Sequence, residues 1–240
     1  MGGRGGSSGM GGRGGGGGGS YHSWPDEASG THTYYGTGQE QYRFFKDTTN
    51  FDELINDMTD PQRGDFRDWA RGHFMYGQQY RGWDNMDDYD KRMTQLYDDV
   101  LDQATLSEGV ILTRRSDAQL VLGKGNKKAT MDELKALEGQ IVTAKGNMSF
   151  GAAAQGLTIG QSGKTMEYRL HIPGGTKGAG MWIGDKRING WGPGQREFMS
   201  NRDITFTIGK TTYDARRGVY QTDLYYSGKE AHDYGRSGRV

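Results

Sequence analysis

The stretch GPGQREFMSNRDITFTI, residues 192–208, is where a loop rich in glycine and proline becomes a strand. Apolar and polar residues alternate after the loop, which predicts a half-buried strand. Positions i and i+2 of a strand point to the same face. We therefore expect the amide of Gln195 and the carboxylate of Glu197 to face the same space, where one contacts an incoming group while the other takes part in chemistry.

The chain around this stretch divides into a helical part and a strand-rich part. Apolar residues recur at helical spacing from about residue 41 to residue 108. After Gly109, short apolar or alternating runs are bounded by glycine, proline and asparagine, as in VILTR, QIVTAKG, MEYRLHIP and AGMWI. Thr130 and Glu133 form a capping-box pattern for one later helix, and TYDARRGVYQTDLYYSG predicts a final hairpin. Helices followed by strands predict an α+β fold.

The N-terminus has a different composition from the rest of the 240-residue chain. Residues 1–20 are nearly all glycine, serine and arginine, so they have almost no apolar surface to bury. We assign residues 1–30 to a disordered Gly-rich tail and residues 41–230 to the folded domain. Because the tail repeats the RGG-like pattern GRGG, an RNA-binding protein that acts through it is one alternative function.

Composition excludes several kinds of site. The formal net charge is zero, which argues neither for nor against a nucleic-acid partner, and the absence of cysteine excludes disulfides and thiolate chemistry. The five histidines lack metal-ligand spacing, and no apolar run is long enough to span a membrane. The N-terminus also lacks the apolar core of a secretory signal. We expect a monomer without metal or membrane contact, in a bacterial or infected host cytoplasm or delivered by a non-classical route.

Three separate stretches carry the residues that indicate chemistry. In VILTRRSDAQ, Arg114 comes at the end of an apolar strand, where its guanidinium is suited to clamping a phosphate. In GNMSFGAAA, Ser149 lies between a strand and a loop of small residues. The third stretch contains Gln195 and Glu197. An arginine, a polar strand end and a Gln-x-Glu at long intervals indicate a split site assembled from different strands.

The order of these stretches resembles the mono-ADP-ribosyltransferases of the Arg–Ser–Glu class, which include clostridial binary-toxin enzymes, Rho-modifying exoenzymes and phage-encoded relatives. The resemblance covers roughly residues 41–230 and also includes YRLHIPGGTKGAGMWI, which is similar to the strand and turn that follow the middle motif. It implies N-terminal helices packed on a two-sheet antiparallel or mixed β core. It also implies that NAD is the substrate and that ADP-ribose is transferred to a protein or nucleic-acid acceptor.

The resemblance assigns a role to each candidate residue. It gives catalysis to Glu197 and Gln195, NAD binding to Arg114, Arg115, Ser149, Asn147 and Tyr80, and substrate recognition to Trp191 and Gln195. Glu197 would stabilise the positive charge that develops on the ribose when the bond to nicotinamide breaks. Residues 151–165 would form the mobile loop over the phosphates and nicotinamide.

The middle motif departs from the Ser-Thr-Ser of the family, because Asn147-Met148-Ser149 stands there. Either the alignment is shifted by two, so that Ser149 braces Glu197, or the enzyme is divergent and Asn147 takes that place. A catalytically inactive virion- or secretion-associated protein of the same fold is therefore a further alternative. In this class, a glutamine two residues before the catalytic glutamate accompanies asparagine, glutamine or guanine acceptors, so Gln195 indicates a non-arginine acceptor. The resemblance also implies NAD hydrolysis as a side activity.

Overall fold

The computed structural model describes most of the chain after the first 22 residues. The described residues are 23–26, 31–34, 38–70, 83–122, 129–151, 157–158, 165–185, 187–188, 197–232 and 234. Among them, no helix is long and apolar enough to cross a membrane.

Helices dominate the first half of the described chain. Their bounds are α1 Gly38–Thr48, α2 Phe51–Asp57, α3 Asp60–Asp68, α4 Asp88–Gln103, α5 Gln119–Leu122 and α6 Met131–Lys135. Side-chain caps explain where several of them begin. Thr59 forms a capping box with Gln62 before α3, and the carboxylate of Asp87 accepts from the backbone of Asp90 at the start of α4.

Strands dominate the second half. Their bounds are β1 Ser23–Asp26, β2 Thr31–Tyr34, β3 Thr105–Leu106, β4 Val110–Ser116, β5 Ile141–Ala144, β6 Ser149–Gly151, β7 Leu157–Thr158, β8 Met166–Ile172, β9 Thr176–Lys177, β10 Gly180–Trp182, β11 Glu197–Ser200, β12 Ile204–Asp214 and β13 Val219–Lys229. Eleven of these strands share one mixed sheet with the main order β10-β11-β6-β4-β8-β13-β12-β5, and β3 pairs with β9. The step from β6 to β4 consists of one registered pair, Thr113 with Gly151, so the sheet has two parts that meet at β4.

A bent two-stranded ribbon, formed by β5 and β6 on one side and β11 and β12 on the other, connects the two parts of the sheet a second time. β11 pairs with β6 and β12 pairs with β5, and both pairings keep one antiparallel register. Between them the ribbon bends at Asp203, whose φ of 58° lies in the left-handed region that aspartate tolerates better than most residues. Hydrogen bonds from Ser200 N to Met148 O (2.8 Å) and from Asp203 N to Ala144 O (2.6 Å) hold the register across the bend. The bend therefore fixes the position of β11.

Two apolar clusters lie on opposite sides of β10 and β11. The sheet-side core contains Phe45, Leu112, Tyr168, Leu170, Trp182, Phe198 and Leu224, and the helix-side core contains Phe51, Phe66, Trp69, Tyr97, Met181, Ile188 and Met199. Because side chains alternate along a strand, Phe198 enters the first core and Met199 enters the second. Glu197 lies two residues before Met199 on the same strand, so its side chain also points to the helix-side face.

The α+β fold predicted from the sequence is confirmed, with helices beside a mixed, largely antiparallel sheet. The capping box of Thr130 and Glu133 and the final hairpin of β12 and β13 are also present. β1 lies inside the range 1–30 that composition assigns to the tail, and it pairs with β2, which in turn pairs with β4. The domain bounds 1–30 and 41–230 stay a prediction. Residues 1–22 lie outside the described part.

Candidate active site

Glu197 is the first residue of β11 and is half-buried. Its registered partner on β6 is Gly151, which has no side chain to fill the space in front of the carboxylate. The backbone carbonyl of Glu197 accepts from the amide of Ile183 at 2.9 Å, which adds a further tie to the chain leaving β10. Glu197 is thus held by backbone contacts on both sides while its side chain points to the helix-side face.

Ser149 lies diagonally across the ladder from Glu197. It is registered opposite Met199, which places it on the same face as Glu197 and within side-chain reach. Burial raises the pKa of the Glu197 carboxyl, and two effects act in the other direction, a hydrogen bond from the Ser149 side chain and the positive charge of Arg114. The raised pKa indicates a carboxylate that is poorly solvated and therefore sensitive to nearby positive charge.

Arg114 joins this pair from β4. Its guanidinium NH1 donates to the backbone carbonyl of Ser149 at 2.9 Å, and it lies in the half-buried end of the strand. The preceding residue, Thr113, makes the registered pair with Gly151 that links β4 to β6. The link between the two parts of the sheet therefore brings Arg114, Ser149 and Glu197 together, as expected for a split site.

Arg115 lies in a different environment. It is registered beside Glu167 on β8, on the face of β4 opposite to Arg114. Glu167 is almost fully buried and accepts from Arg217 (2.8 Å to each oxygen) and from Gln221 (2.8 Å). Burial alone would raise the pKa of Glu167, but these hydrogen bonds and the charges of Arg217 and Arg115 lower it. The structure therefore does not group Arg115 with Arg114, and its predicted role in NAD binding stays a prediction.

Asn147 lies at the bend of the ribbon. Its side-chain amide donates to the carbonyl of Ser200 at 2.9 Å, and the hydroxyl of Ser200 accepts from the amide of Met148 at 3.0 Å. Of the two alternatives that the sequence leaves open, the strand register favours the shifted alignment, because Ser149 is the diagonal neighbour of Glu197 and its side chain lowers the pKa of that carboxyl. Asn147 holds the bend that carries Ser149.

Three candidates of the sequence analysis, Tyr80, Trp191 and Gln195, lie outside the described residues. The same holds for most of the loop 151–165. Their predicted roles therefore stay predictions. The shared face of Gln195 and Glu197 is likewise an expectation from strand geometry.

Tyr97 is a neighbour of the site that the sequence analysis places only on an apolar helix stripe. It lies on α4, is fully buried in the helix-side core, and burial together with the negative charge of Glu197 raises its pKa well above the usual value. Gly151 was missed as well. Helical spacing does not show that Tyr97 lies near Glu197, because that depends on how α4 packs against β11. A lone glycine in the sequence likewise does not show that Gly151 lies opposite Glu197, because that depends on the strand register.

The assembled group can bind an anion and stabilise a cation. Arg114 offers a guanidinium for phosphate oxygens, and Glu197 offers a partly desolvated carboxylate held in place by Ser149. Within the described residues, no group of histidine and carboxylate side chains is arranged to hold a metal ion. Arg114, Ser149 and Glu197 come from three different strands, β4, β6 and β11, and their roles as site residues stay a prediction.

Comparison with known families identifies the class of the protein. The profile of the family described as "ADP-ribosyltransferase exoenzyme" matches residues 75–225, which is more than half of the chain and includes Arg114, Ser149 and Glu197. The chain belongs to the ADP-ribosyltransferase exoenzyme family. It is therefore an enzyme that transfers ADP-ribose. No curated protein is similar enough in sequence to count as a match.

Solved structures share the fold at low sequence identity. C3stau2 from S. aureus, crystallised with NAD, has a TM-score of 0.64 at 11% identity, covering 83% of this chain and 99% of that one. Plx2a, an ADP-ribosyltransferase toxin from Paenibacillus larvae, has a TM-score of 0.60 at 16% identity over 79% and 94% of the two chains. The C3 exoenzyme of Clostridium limosum has a TM-score of 0.60 at 14% identity over 80% and 96%. The predicted family and fold are thus confirmed.

Proposed function

We propose that this protein cleaves NAD and transfers the ADP-ribose to a non-arginine acceptor, either an asparagine or glutamine side chain or a nucleobase. Hydrolysis of NAD is the side reaction when water replaces the acceptor. The enzyme acts as a monomer in the cytoplasm of a bacterial or infected host cell. Support for NAD as the substrate comes from the family and from the NAD-bound structure of C3stau2.

One observation carries the proposal, the convergence of Arg114 and Ser149 on Glu197. Arg114 is the cation that suits a pyrophosphate, and its contact with the carbonyl of Ser149 sets it next to the carboxylate. In NAD the pyrophosphate and the nicotinamide ribose are adjacent groups. A guanidinium and a carboxylate that lie side by side can therefore contact one each. The chemistry of these residues therefore suits NAD.

Glu197 supplies the electrostatic part of the mechanism. Loss of nicotinamide leaves positive charge on the ribose in the transition state, and a fixed carboxylate stabilises that state more than the ground state. Burial raises the pKa of Glu197, which means that its charge is incompletely solvated and gains from a nearby cation. The Ser149 side chain partly offsets the effect of burial and so favours the charged form of the carboxyl group.

Gln195 is the residue to which we assign acceptor recognition. An amide side chain both donates and accepts, which complements another amide or the edge of a base. A guanidinium acceptor would instead call for a carboxylate at this position, because the two pair in a fork geometry. Trp191 in the same loop would add an apolar contact to the acceptor.

The inactive relative is less well supported than the enzyme. Its main argument is the departure at Asn147, and that argument weakens because the Ser149 side chain already bonds Glu197. RNA binding through the tail concerns residues outside the described part and needs its own test. It predicts binding that depends on residues 1–20 and falls steeply with salt.

The test is incubation of the pure protein with labelled NAD, alone and with clarified bacterial or eukaryotic lysate. We expect nicotinamide release in both samples and label on protein or nucleic acid in the second. Label that is removed by protease or by nuclease identifies the acceptor class. Absence of nicotinamide release in every sample would contradict the proposal and favour the inactive relative.

A further inference from the structure

Tyr97 on α4 carries a buried hydroxyl group to which no role has been assigned. Its side chain is fully buried, and within the part of the chain that the structure describes the hydroxyl makes no hydrogen bond. A buried hydroxyl without a partner is unfavourable, and the large majority of buried polar side-chain atoms have one. The hydroxyl of Tyr97 therefore calls for an acceptor close to it.

Two aromatic rings hold Tyr97 in place. Phe66 of α3 stacks on it, with 4.4 Å between the ring centroids and 18° between the ring planes, and Trp69, which follows α3, also packs against it. The indole of Trp69 offers only an N–H donor, so it cannot accept from the tyrosine hydroxyl. Packing thus fixes the ring of Tyr97, and these neighbours supply no acceptor for its hydroxyl.

The carboxylate of Glu197 lies on the same side of β11 as Tyr97. α4 packs on β10, and β10 pairs with β11 through Met181 and Met199, which belong to the helix-side core together with Tyr97. Glu197 lies two residues before Met199, so its side chain faces this core. Burial raises the pKa of Tyr97, and the negative charge of Glu197 raises it further, so the two groups are close enough to interact. An ionised carboxylate is an acceptor, which is what the hydroxyl lacks.

We propose that Tyr97 is a positioning residue for the cleavage of NAD, because its hydroxyl donates to the Glu197 carboxylate in the complex with NAD. This inference rests on the proposed function, in which that carboxylate stabilises the positive charge on the ribose. Hydrogen bonds between catalytic groups are often long or poorly aligned in a free enzyme and tighten in the complex with substrate. Ser149 reaches the carboxylate from the neighbouring strand β6, and Tyr97 holds it from the helix side.

Tyr97→Phe removes the hydroxyl and keeps the ring that packs on Phe66 and Trp69. If the tyrosine were purely structural, this change would be harmless, since the hydroxyl has no partner among the described residues and its loss removes an unfavourable group. Tyr42→Phe is the matched control. Tyr42 also packs against the helix-side core, but its ring lies near Lys46 of α1, with the Nζ 6.0 Å from the ring centroid.

Three measurements compare these variants with the wild type. In Tyr97→Phe, kcat for nicotinamide release should fall by about tenfold and KM should stay within about twofold, because a hydrogen bond to the charged carboxylate is lost during the reaction. The acidic limb of kcat should move to higher pH, because the lost donor favours the charged form of Glu197 in the complex. The midpoint of urea unfolding should not fall. Tyr42→Phe should match the wild type in all three.

The outcomes distinguish the positioning role from the proposed function. A wild-type kcat in Tyr97→Phe, an unmoved acidic limb, or an equal loss in Tyr42→Phe would each overturn the positioning role. A clear fall in the unfolding midpoint of Tyr97→Phe would overturn it as well, because the hydroxyl would then have a structural partner. The proposed function survives all of these results if the wild type releases nicotinamide and Glu197→Gln does not. A wild-type protein that releases no nicotinamide would overturn the proposed function and the positioning role together.

Discussion

Ser149 and Glu197 are diagonal neighbours on one face of the antiparallel pair β6–β11, and the serine side chain lowers the pKa of the carboxyl group, which burial raises. The residue directly opposite Glu197 is Gly151, so the diagonal serine meets no competing side chain from that position. Arg114 holds the backbone of the same serine. One serine therefore connects the cation that suits phosphate with the carboxylate that suits the ribose.

Ser149→Ala should move the acidic limb of the activity profile to higher pH. The Ser149 side chain favours the charged form of Glu197 and so offsets part of the rise in pKa that burial causes. Without it, the carboxyl pKa should rise further. Because the carboxylate is the active form, activity should disappear at a higher pH as the solution is acidified. The measurement is kcat/KM for nicotinamide release between pH 4 and pH 8.

Asn147→Ala is the comparison for that experiment. Asn147 bonds the carbonyl of Ser200 at the bend, so its loss should lower thermal stability and leave the acidic limb in place. A shift of the limb in Asn147→Ala but not in Ser149→Ala would show that the asparagine braces Glu197.

Gln195→Ala should reduce transfer much more than NAD hydrolysis. Glu197 acts on the ribose, which both reactions share, whereas the Gln195 amide has only the acceptor to recognise. Gln195→Glu should in addition admit small guanidino compounds, because a carboxylate pairs with a guanidinium. The measurement is nicotinamide release and label transfer side by side, and an equal fall of both in Gln195→Ala would mean that Gln195 supports the catalytic group itself.

Arg202→Met should destabilise the fold by about 3–5 kcal/mol, because it leaves a buried carboxylate without its cation. Arg202 and Asp98 are both buried, and the guanidinium donates to the carboxylate through Nε and NH2 at 2.6–2.9 Å. Urea unfolding followed by circular dichroism measures the change. Asp99→Asn, on the exposed side of α4, serves as the control and should be nearly neutral. A loss below about 1 kcal/mol in Arg202→Met would show that water reaches Asp98.

Arg217→Gln should destabilise the protein at neutral pH more than in acid. The folded pKa of Glu167 is lowered, since the Arg217 and Gln221 hydrogen bonds outweigh burial, so the ion pair stabilises the fold above the unfolded pKa of about 4.3 and this contribution is lost as the pH falls through the folded value. Unfolding at pH 7 and at pH 3 measures the difference between variant and wild type. The exposed neighbour in Arg216→Gln should show no such pH dependence, and equal destabilisation of Arg217→Gln at both pH values would contradict the account.

Sequence patterns predicted the helices followed by strands, because this order depends on local spacing, but not the two strands β1 and β2 that precede the helices. The roles of the candidate site residues follow from the family resemblance and stay a prediction. The capping box at Thr130 and the strand of Glu197 follow from periods of a few residues. Register is not local, so the sequence left open whether Asn147 or Ser149 meets Glu197. The same limit applies to Arg115, because only the pairing with Glu167 shows which face of β4 it occupies.

Contacts between elements that are distant in the chain could not be predicted from the sequence either, because they also depend on non-local packing. Helical spacing placed Tyr97 on an apolar stripe, but its proximity to Glu197 depends on how α4 packs against β11. A salt bridge between Arg187 and Asp52 joins residues that are 135 positions apart in the chain. A single sequence carries no pattern for such a pair, since any of its many acidic residues could be the partner.

The central claim is that the Glu197 carboxylate drives the cleavage of NAD, and nicotinamide release by Glu197→Gln tests it most directly. The substitution keeps shape and removes charge, so the rate should fall by about a hundredfold or more. Stability at neutral pH should not fall, because the raised pKa of Glu197 means that its charged form does not favour the folded state. A folded Glu197→Gln protein that releases nicotinamide at nearly the wild-type rate would contradict the account.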